Sequence, residues 1–279
     1  MKLYVLFNHL FLSVDPVTYQ AISDSEFLRS EFAVSETRTT FRNDYPEGYT
    51  GVYFYGHETY FEFFDAGKGA FPLGSLGIAS GYETKGHIAK AEKKLAEIGT
   101  TYSHDVNRMV DDKPITWFTS LKGNAETGFG RAQVWAMEYK DSFIKNWLGY
   151  SSELDGSILQ SDFLQSYALK LDQMPLRKTA LMKDITKIEA SIEKQHFASY
   201  SAQFTGLGWQ TSKMGECDVH KSRNTTVILC PAQDGDLPGI YKIEFSLTRE
   251  YTGPREMLFG NSSLRFNGKS AEWSFYHNQ

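Results

Sequence analysis

What most restricts the fold of this chain is an order of elements that occurs twice. Residues 3–15 alternate as a strand does, with Phe7, His9, Phe11 and Ser13 on one face and Leu10, Leu12 and Val14 on the other. Asp15-Pro16 then reads as an N-cap followed by proline at the first helical position, which starts a helix near Val17 that continues irregularly to about Phe32. A Thr- and Val-rich strand over 33–42 comes next, then a polar loop over 43–49 containing Pro46 and Gly48. Strands at 50–55 and 59–64 form a hairpin across Gly56-His57-Glu58. The second pass opens with a glycine-rich apolar strand at 75–83. An amphipathic helix at 87–98 comes after it, bounded by Gly86 and Gly99, with Ile88, Ala91, Leu95 and Ile98 inward. Strands at 100–110, 115–121 and 131–139 complete it, the last two joined by the Gly-rich 122–130 loop. Both passes read β-α-β-β-β, at a period of roughly 70 residues. The predicted fold class is α+β, with paired βαβββ modules at about 1–68 and 74–140.

The remainder is less regular. Residues 141–175 read as a polar helical linker, with Trp147, Leu148, Phe163, Leu164 and Leu169 as packing contacts. Residues 176–279 form a C-terminal α+β extension: a strand within 179–190, a helix from Ser191 toward Gly206, and strands at 225–230, 240–249, 263–266 and 271–275. It is either a third, degenerate module or a plain cap. Trp273 and Phe275 read as core, and Arg249, Glu250, Arg255 and Glu256 as a solvated cluster.

Composition removes several function classes. No apolar run approaches the roughly 18 residues of a membrane span, and no secretory leader is recognisable at the start, so a cytoplasmic protein without membrane contact is expected. Twenty-nine basic against 34 acidic side chains, a net charge of −5, give no basic stripe for nucleic acid. Cys217 and Cys230, the only cysteines, are too few for a disulfide framework or a four-cysteine zinc site; one bridge between them stays open. The 20 Phe, 16 Tyr and 5 Trp favour strands and large apolar cavities.

Three side chains stand out by position. His9 is central on the first strand, Glu62 interrupts Tyr60-Phe61-Glu62-Phe63-Phe64, and Glu138 lies near the end of Val134-Trp135-Ala136-Met137-Glu138-Tyr139. A carboxylate inside an aromatic strand is costly to bury without a metal, cation or hydrogen bond. One imidazole and two carboxylates suit a divalent ion such as Zn, Mn, Ni, Fe or Co. Each residue also has a plainer explanation: a satisfied core histidine, a solvent-facing Glu62, a surface ion pair of Glu138 with Lys140. Tyr53, Tyr55 and Tyr60 either line a cleft or fill a core. Arg38 and Arg131 are candidates to clamp an anion, against a solvated strand edge. His57 reads as an exposed turn residue. His104 and Asp105 read as part of a surface loop or lid. No dinucleotide fingerprint, P-loop, nucleophile elbow or His-Glu-x-x-His helix occurs.

The layout resembles the vicinal oxygen chelate superfamily, which includes glyoxalase I, extradiol dioxygenases, fosfomycin-modifying enzymes and bleomycin-binding proteins. Within it the chain looks like an uncharacterised family of unknown function. The segments that carry the resemblance are Phe7-Asn8-His9-Leu10-Phe11-Leu12-Ser13-Val14-Asp15, Thr59-Tyr60-Phe61-Glu62-Phe63-Phe64, Gly74-Ser75-Leu76-Gly77-Ile78-Ala79-Ser80 and the 133–139 strand. The resemblance implies a curled mixed sheet round a cleft, with His9, Glu62 and Glu138 as metal ligands and Glu138 or Glu62 as the catalytic base. The fourth ligand position falls at Ser75, a poor ligand that would instead touch substrate, with Tyr53, Tyr60 and Arg38. The activity it implies is that of a glyoxalase-like, metal-dependent lyase, isomerase or transferase acting on a small oxygen-rich molecule, as a monomer or homodimer. The alternatives are a metal-free protein that sequesters a small molecule in an aromatic cleft, or a non-catalytic interaction protein.

Overall fold

The structure is a computed structural model that describes residues 4–110, 113–123, 131–148 and 157–276. Strand β1 (Leu6–Val14) leads into helix α1 (Pro16–Asp24), whose N-cap Asp15 accepts the Thr18 N–H at 3.0 Å and the Thr18 hydroxyl at 2.6 Å. The helix ends eight residues earlier than its sequence spacing predicts (24 against 32). The Ser25 hydroxyl accepts the Leu28 N–H and opens a separate π-helical turn, Leu28–Phe32. Strands β2 (Val34–Arg42), β3 (Tyr45–Tyr55) and β4 (Tyr60–Asp65) come next. The expected polar loop shrinks to a turn at Asn43-Asp44, because Tyr45 and Tyr49 join β3 and pack their rings on Phe71. Then come β5 (Leu76–Gly81), α2 (His87–Ala96), β6 (Thr101–Val110), β7 (Lys113–Gly123) and β8 (Ala132–Tyr139). Ile98, expected inward, lies past the end of α2 and is exposed.

These eight strands close into a barrel, in the order β1-β4-β3-β2-β6-β7-β8-β5. β4 runs parallel to β1 and β8 parallel to β5, each after a helical crossover. Helices α3 (Asp141–Leu148), α4 (Gln160–Lys170) and α5 (Met174–Thr179) occupy the expected linker. They do more than link. Phe143, Ile144, Phe163, Leu164 and Tyr167 join the core inside the barrel, with Phe163 stacked on Tyr139 at 3.9 Å and Tyr167 on Tyr55 at 5.0 Å. Leu169 points to solvent instead, and the side chains of Trp147 and Leu148 lie outside the described residues.

The C-terminal half is a second sheet, built from β9 (Met182–Ile192), α6 (Phe197–Gly206), β10 (Gln210–Met214), β11 (Cys217–Lys221), β12 (Thr226–Pro231), β13 (Gly239–Leu247), β14 (Glu256–Leu258), β15 (Ser262–Asn267) and β16 (Ser270–Phe275). Its order is β10-β11-β12-β9-β13-β16-β15-β14, with β12 parallel to β9. β10 escapes sequence reading because its side chains are all exposed and carry no apolar alternation. Cys217 and Cys230 form a disulfide between β11 and β12.

The largest core lies between this sheet and the outer wall of the barrel. Phe61 and Phe63 of β4 meet Phe245 and Trp273 there at 5.2–5.5 Å. Each buried ring stabilises the interface by roughly 1.5–3 kcal/mol. Both faces of the barrel wall are therefore covered, and the alternate residues of each strand point inward.

A candidate ligand site inside the barrel

The inward residues enclose a cavity of about 480 Å³. A β-bulge between Phe7 and His9 turns both Asn8 and His9 toward the interior. The Asn8 amide donates to the Gln160 side-chain oxygen of α4 at 2.9 Å. Its own oxygen must then accept the His9 Nδ1–H, at 2.8 Å. That bond fixes the tautomer and leaves the lone pair of His9 Nε2 aimed at the cavity. The imidazole is further held by stacking on Tyr60 at 4.3 Å and by the edge of Trp135 at 5.2 Å.

Glu62 faces His9, with its carboxyl oxygen 3.7 Å from Nε2. Burial pushes the Glu62 carboxyl up to about 8, against the pull of Arg38 and Arg42. Burial, helped by Arg42 and Arg38, holds His9 down at about 3. Near neutral pH the contact therefore joins two uncharged groups: an acceptor nitrogen and a carboxylic acid. The pair can donate to and accept from one small polar group lodged beside it, or pass a proton across it. Around the pair, Phe11, Tyr49, Phe64, Phe71 and Trp135 make an aromatic wall. Gly77 permits it: a Cβ there would meet the Phe11 ring at 2.1 Å and Trp135 at 2.8 Å. At the other side of the cavity, Arg42 grips Asp44 through Nε at 2.8 Å and Nη2 at 2.5 Å, and His104 lies 3.3 Å from the same carboxylate. Ser120 and Lys122 of β7 line the same space.

The sequence-derived residues divide. His9, Glu62 and Tyr60 meet in the cavity. Glu138 does not join them, which corrects the expected set of three ligands. Its strand alternates so that Trp135, Met137 and Tyr139 join the core inside the barrel while Ala132, Val134 and Ala136 join the outer core, and Glu138 falls on the outer side. There its two oxygens accept the N–H groups of Gly86 and Ile88 at 2.8 and 2.9 Å, capping α2. It is therefore placed neither as a ligand nor as a base for this cavity. Ser75 sits at the foot of β5, its carbonyl accepting the Ser13 N–H, away from the cavity lining. The β5 residue opposite His9 is Ala79, which offers no donor. Tyr53 is buried against Arg38, whose guanidinium stacks 4.1 Å from the ring and pairs with Glu36 at 2.6 Å. Arg38 thus acts on the site through its field rather than by contact, and it is not a solvated strand-edge residue.

These residues do not fit a divalent metal centre. Among the described residues, no three His, Cys, Asp or Glu side chains converge on one point, and His9 with Glu62 offers two ligands where such centres use three or more. Several cavity residues lie outside what the sequence marks: Phe11, Arg42, Tyr49, Phe71, Lys122 and Trp135. The signal that finds all but Phe71 is position on the inward face of a barrel strand, as for His9, Glu62 and Ser120; Phe71 lies in the connection between β4 and β5 and carries no such signal.

The site is thus an aromatic cavity inside a closed barrel, with one buried imidazole–carboxyl pair in its wall. The chain belongs to a family of unknown function (DUF5829), whose model matches residues 7–275. No curated protein matches it. Among solved structures it is similar to a hypothetical protein from Staphylococcus aureus, at 12% identity and a TM-score of 0.53, covering 94% of this chain and 99% of that one. This likeness is one of fold. More distant similarities are to a xylose isomerase-like TIM barrel/4-hydroxyphenylpyruvate dioxygenase fusion protein (8% identity, TM-score 0.48, 88% of this chain and 37% of that one). A further one is BphC, a halotolerant catechol dioxygenase (9% identity, TM-score 0.40, 97% and 88%). Neither of these two bears on the chemistry of the cavity. No described helix is long and apolar enough to cross a membrane.

Proposed function

We propose that the protein binds a small, ring-bearing molecule inside the barrel, with His9 and Glu62 reading one polar group of that molecule. The observation that carries this is the 3.7 Å approach of an imidazole acceptor to a carboxyl group at the wall of an aromatic cavity. Neither group finishes its hydrogen bonding on the other, and a hydroxyl lodged beside them, donating to Nε2 and accepting from the carboxylic acid, satisfies both. The same pair supports a second reading, an acid–base isomerase or lyase in which Nε2 takes a proton and Glu62 gives one. Turnover of the bound molecule separates the two.

We read the barrel as two βαβββ modules and the β9-α6-β10-β11-β12 segment as a third. In each, the last strand lies parallel to the first and the two middle strands complete the sheet.

Calorimetric titration with 2-naphthalenemethanol, a neutral ring with one hydroxyl, tests the proposal. Saturable one-to-one binding is expected, weakened about tenfold in His9→Ala and in Glu62→Ala, the loss of one hydrogen bond of about 1.4 kcal/mol. Absence of saturable binding would sink it. Incubation with Zn, Mn or Ni, followed by dialysis and elemental analysis, is expected to leave well under one equivalent. A full equivalent, lost in His9→Ala, would restore the metalloenzyme reading instead.

A further inference from the structure

We propose that the ligand of this cavity is an organic carboxylate with a flat, unsaturated body, its negative group resting on Lys122 and Ser120. The proposal rests on the cavity being a ligand site and adds the chemical class.

Strand β7 points Ser120 and Lys122 into the cavity, two residues apart on one strand face. Among the described residues, the Lys122 ammonium has no hydrogen bond or ion pair, and neither has the Ser120 hydroxyl. They are two donors from one strand with nothing to donate to. The other charged groups of the lining are accounted for. Arg42 and Asp44 are bonded to each other, and His104 rests against the same Asp44. His9 and Glu62 add no charge near neutral pH. Lys122 is thus left as the uncompensated charge of the lining, in a chain whose net charge is −5.

A partly buried ammonium without a partner carries a desolvation cost that an anion removes. One cation and one hydroxyl suit a singly charged group, so a carboxylate fits where a doubly charged phosphate would keep one charge unmatched. The rest of the molecule must satisfy the opposite wall. Phe11, Phe64, Phe71, Tyr49 and Trp135 offer ring faces and edges, which a flat conjugated body fills. Lys122 and Trp135 lie on adjacent strands, β7 and β8, and the Trp135 ring in turn touches His9. One small molecule can therefore reach the cation, the aromatic wall and the imidazole–carboxyl pair together.

The test uses three probes with one body and three charges: 2-naphthoate, 2-naphthalenemethanol and 2-naphthylmethylammonium, each titrated calorimetrically into the full chain. Wild type is expected to bind the carboxylate at least tenfold more tightly than the alcohol, and the ammonium most weakly. Lys122→Gln should bring the carboxylate to the level of the alcohol while alcohol binding stays within twofold, which also reports that the variant is folded. Lys122→Arg should keep the advantage. Equal affinities for carboxylate and alcohol in wild type, or an advantage that survives Lys122→Gln, overturn the carboxylate assignment and leave the cavity reading intact. Failure of all three probes to bind wild type overturns both.

Discussion

His9 and Glu62 pull the pH dependence of stability in opposite directions. His9 titrates at 6.5 when unfolded and at about 3 in the barrel, so the unfolded chain binds the extra proton between those values and stability rises with pH there. Glu62 titrates at 4.5 unfolded and about 8 folded, so the folded chain holds the extra proton and stability falls as pH rises through that window. Each slope is about 1.4 kcal/mol per pH unit. Where the windows overlap, from 4.5 to 6.5, the two cancel; the pair contributes a rise below and a fall above. The groups that act on both are Arg38 and Arg42 of β2, with Glu36 opposing them at Glu62. Urea midpoints measured from pH 4 to 8.5 should therefore decline above 6.5 in wild type and stay flatter in Glu62→Gln. An unchanged decline in that variant would show Glu62 to be ionised in the fold. At this scale the sequence is readable where burial carries a penalty: a glutamate among four aromatic residues must face something, and it faces the cavity. Glu138 is not readable in the same way. Its strand is covered on both sides, so apolar residues fill both faces and the alternation that would tell inward from outward is lost.

At the scale of elements, most strands and the two crossover helices announce themselves through caps, turns and alternation, as Asp15-Pro16 and Gly56-His57-Glu58 do. What sequence cannot supply is how elements far apart in the chain meet. Residues 141–175 read as a linker because their own pattern is polar and broken, yet Gln160 of α4 holds Asn8, and Asn8 holds the His9 ring. Gln160 is thus a positioning residue. Gln160→Ala should weaken 2-naphthalenemethanol binding severalfold, whereas Gln160→Glu, which keeps the acceptor, should restore it. Glu138 makes the complementary case. Glu138→Ala should cost about 1 kcal/mol in urea unfolding by uncapping α2, with no change in ligand affinity. A tenfold affinity loss would place Glu138 in the site after all.

Across the whole molecule, the second sheet is what makes the barrel wall two-sided, and the disulfide ties its outer part. Cys217 and Cys230 are 13 residues apart, and closing a loop of that size stabilises by about 3 kcal/mol in the chain-entropy account. Paired Cys217→Ser and Cys230→Ser changes, or reduction under native conditions, should lower the melting temperature by several degrees. A melting temperature that does not move would mean the bond is absent in solution. Such a bridge persists in oxidising surroundings, which sits uneasily with the cytoplasmic location expected from sequence. Alkylation and mass spectrometry of protein taken directly from its source would report the bond.

The barrel itself is fastened unevenly. β6 and β7 pair along ten positions, β2 and β3 along eight, but β2 and β6 share one, Arg42 with Arg108, reinforced by Asn43, whose side chain bonds the Asn107 N–H and the Asp105 carbonyl. With one ladder pair, one backbone bond from Asn43 to Asn107 and the two Asn43 side-chain bonds, this seam has the fewest paired positions in the barrel. Arg42, which forms that ladder pair, also borders the cavity. The stretch of wall with the least ladder pairing is therefore also a stretch that borders the cavity.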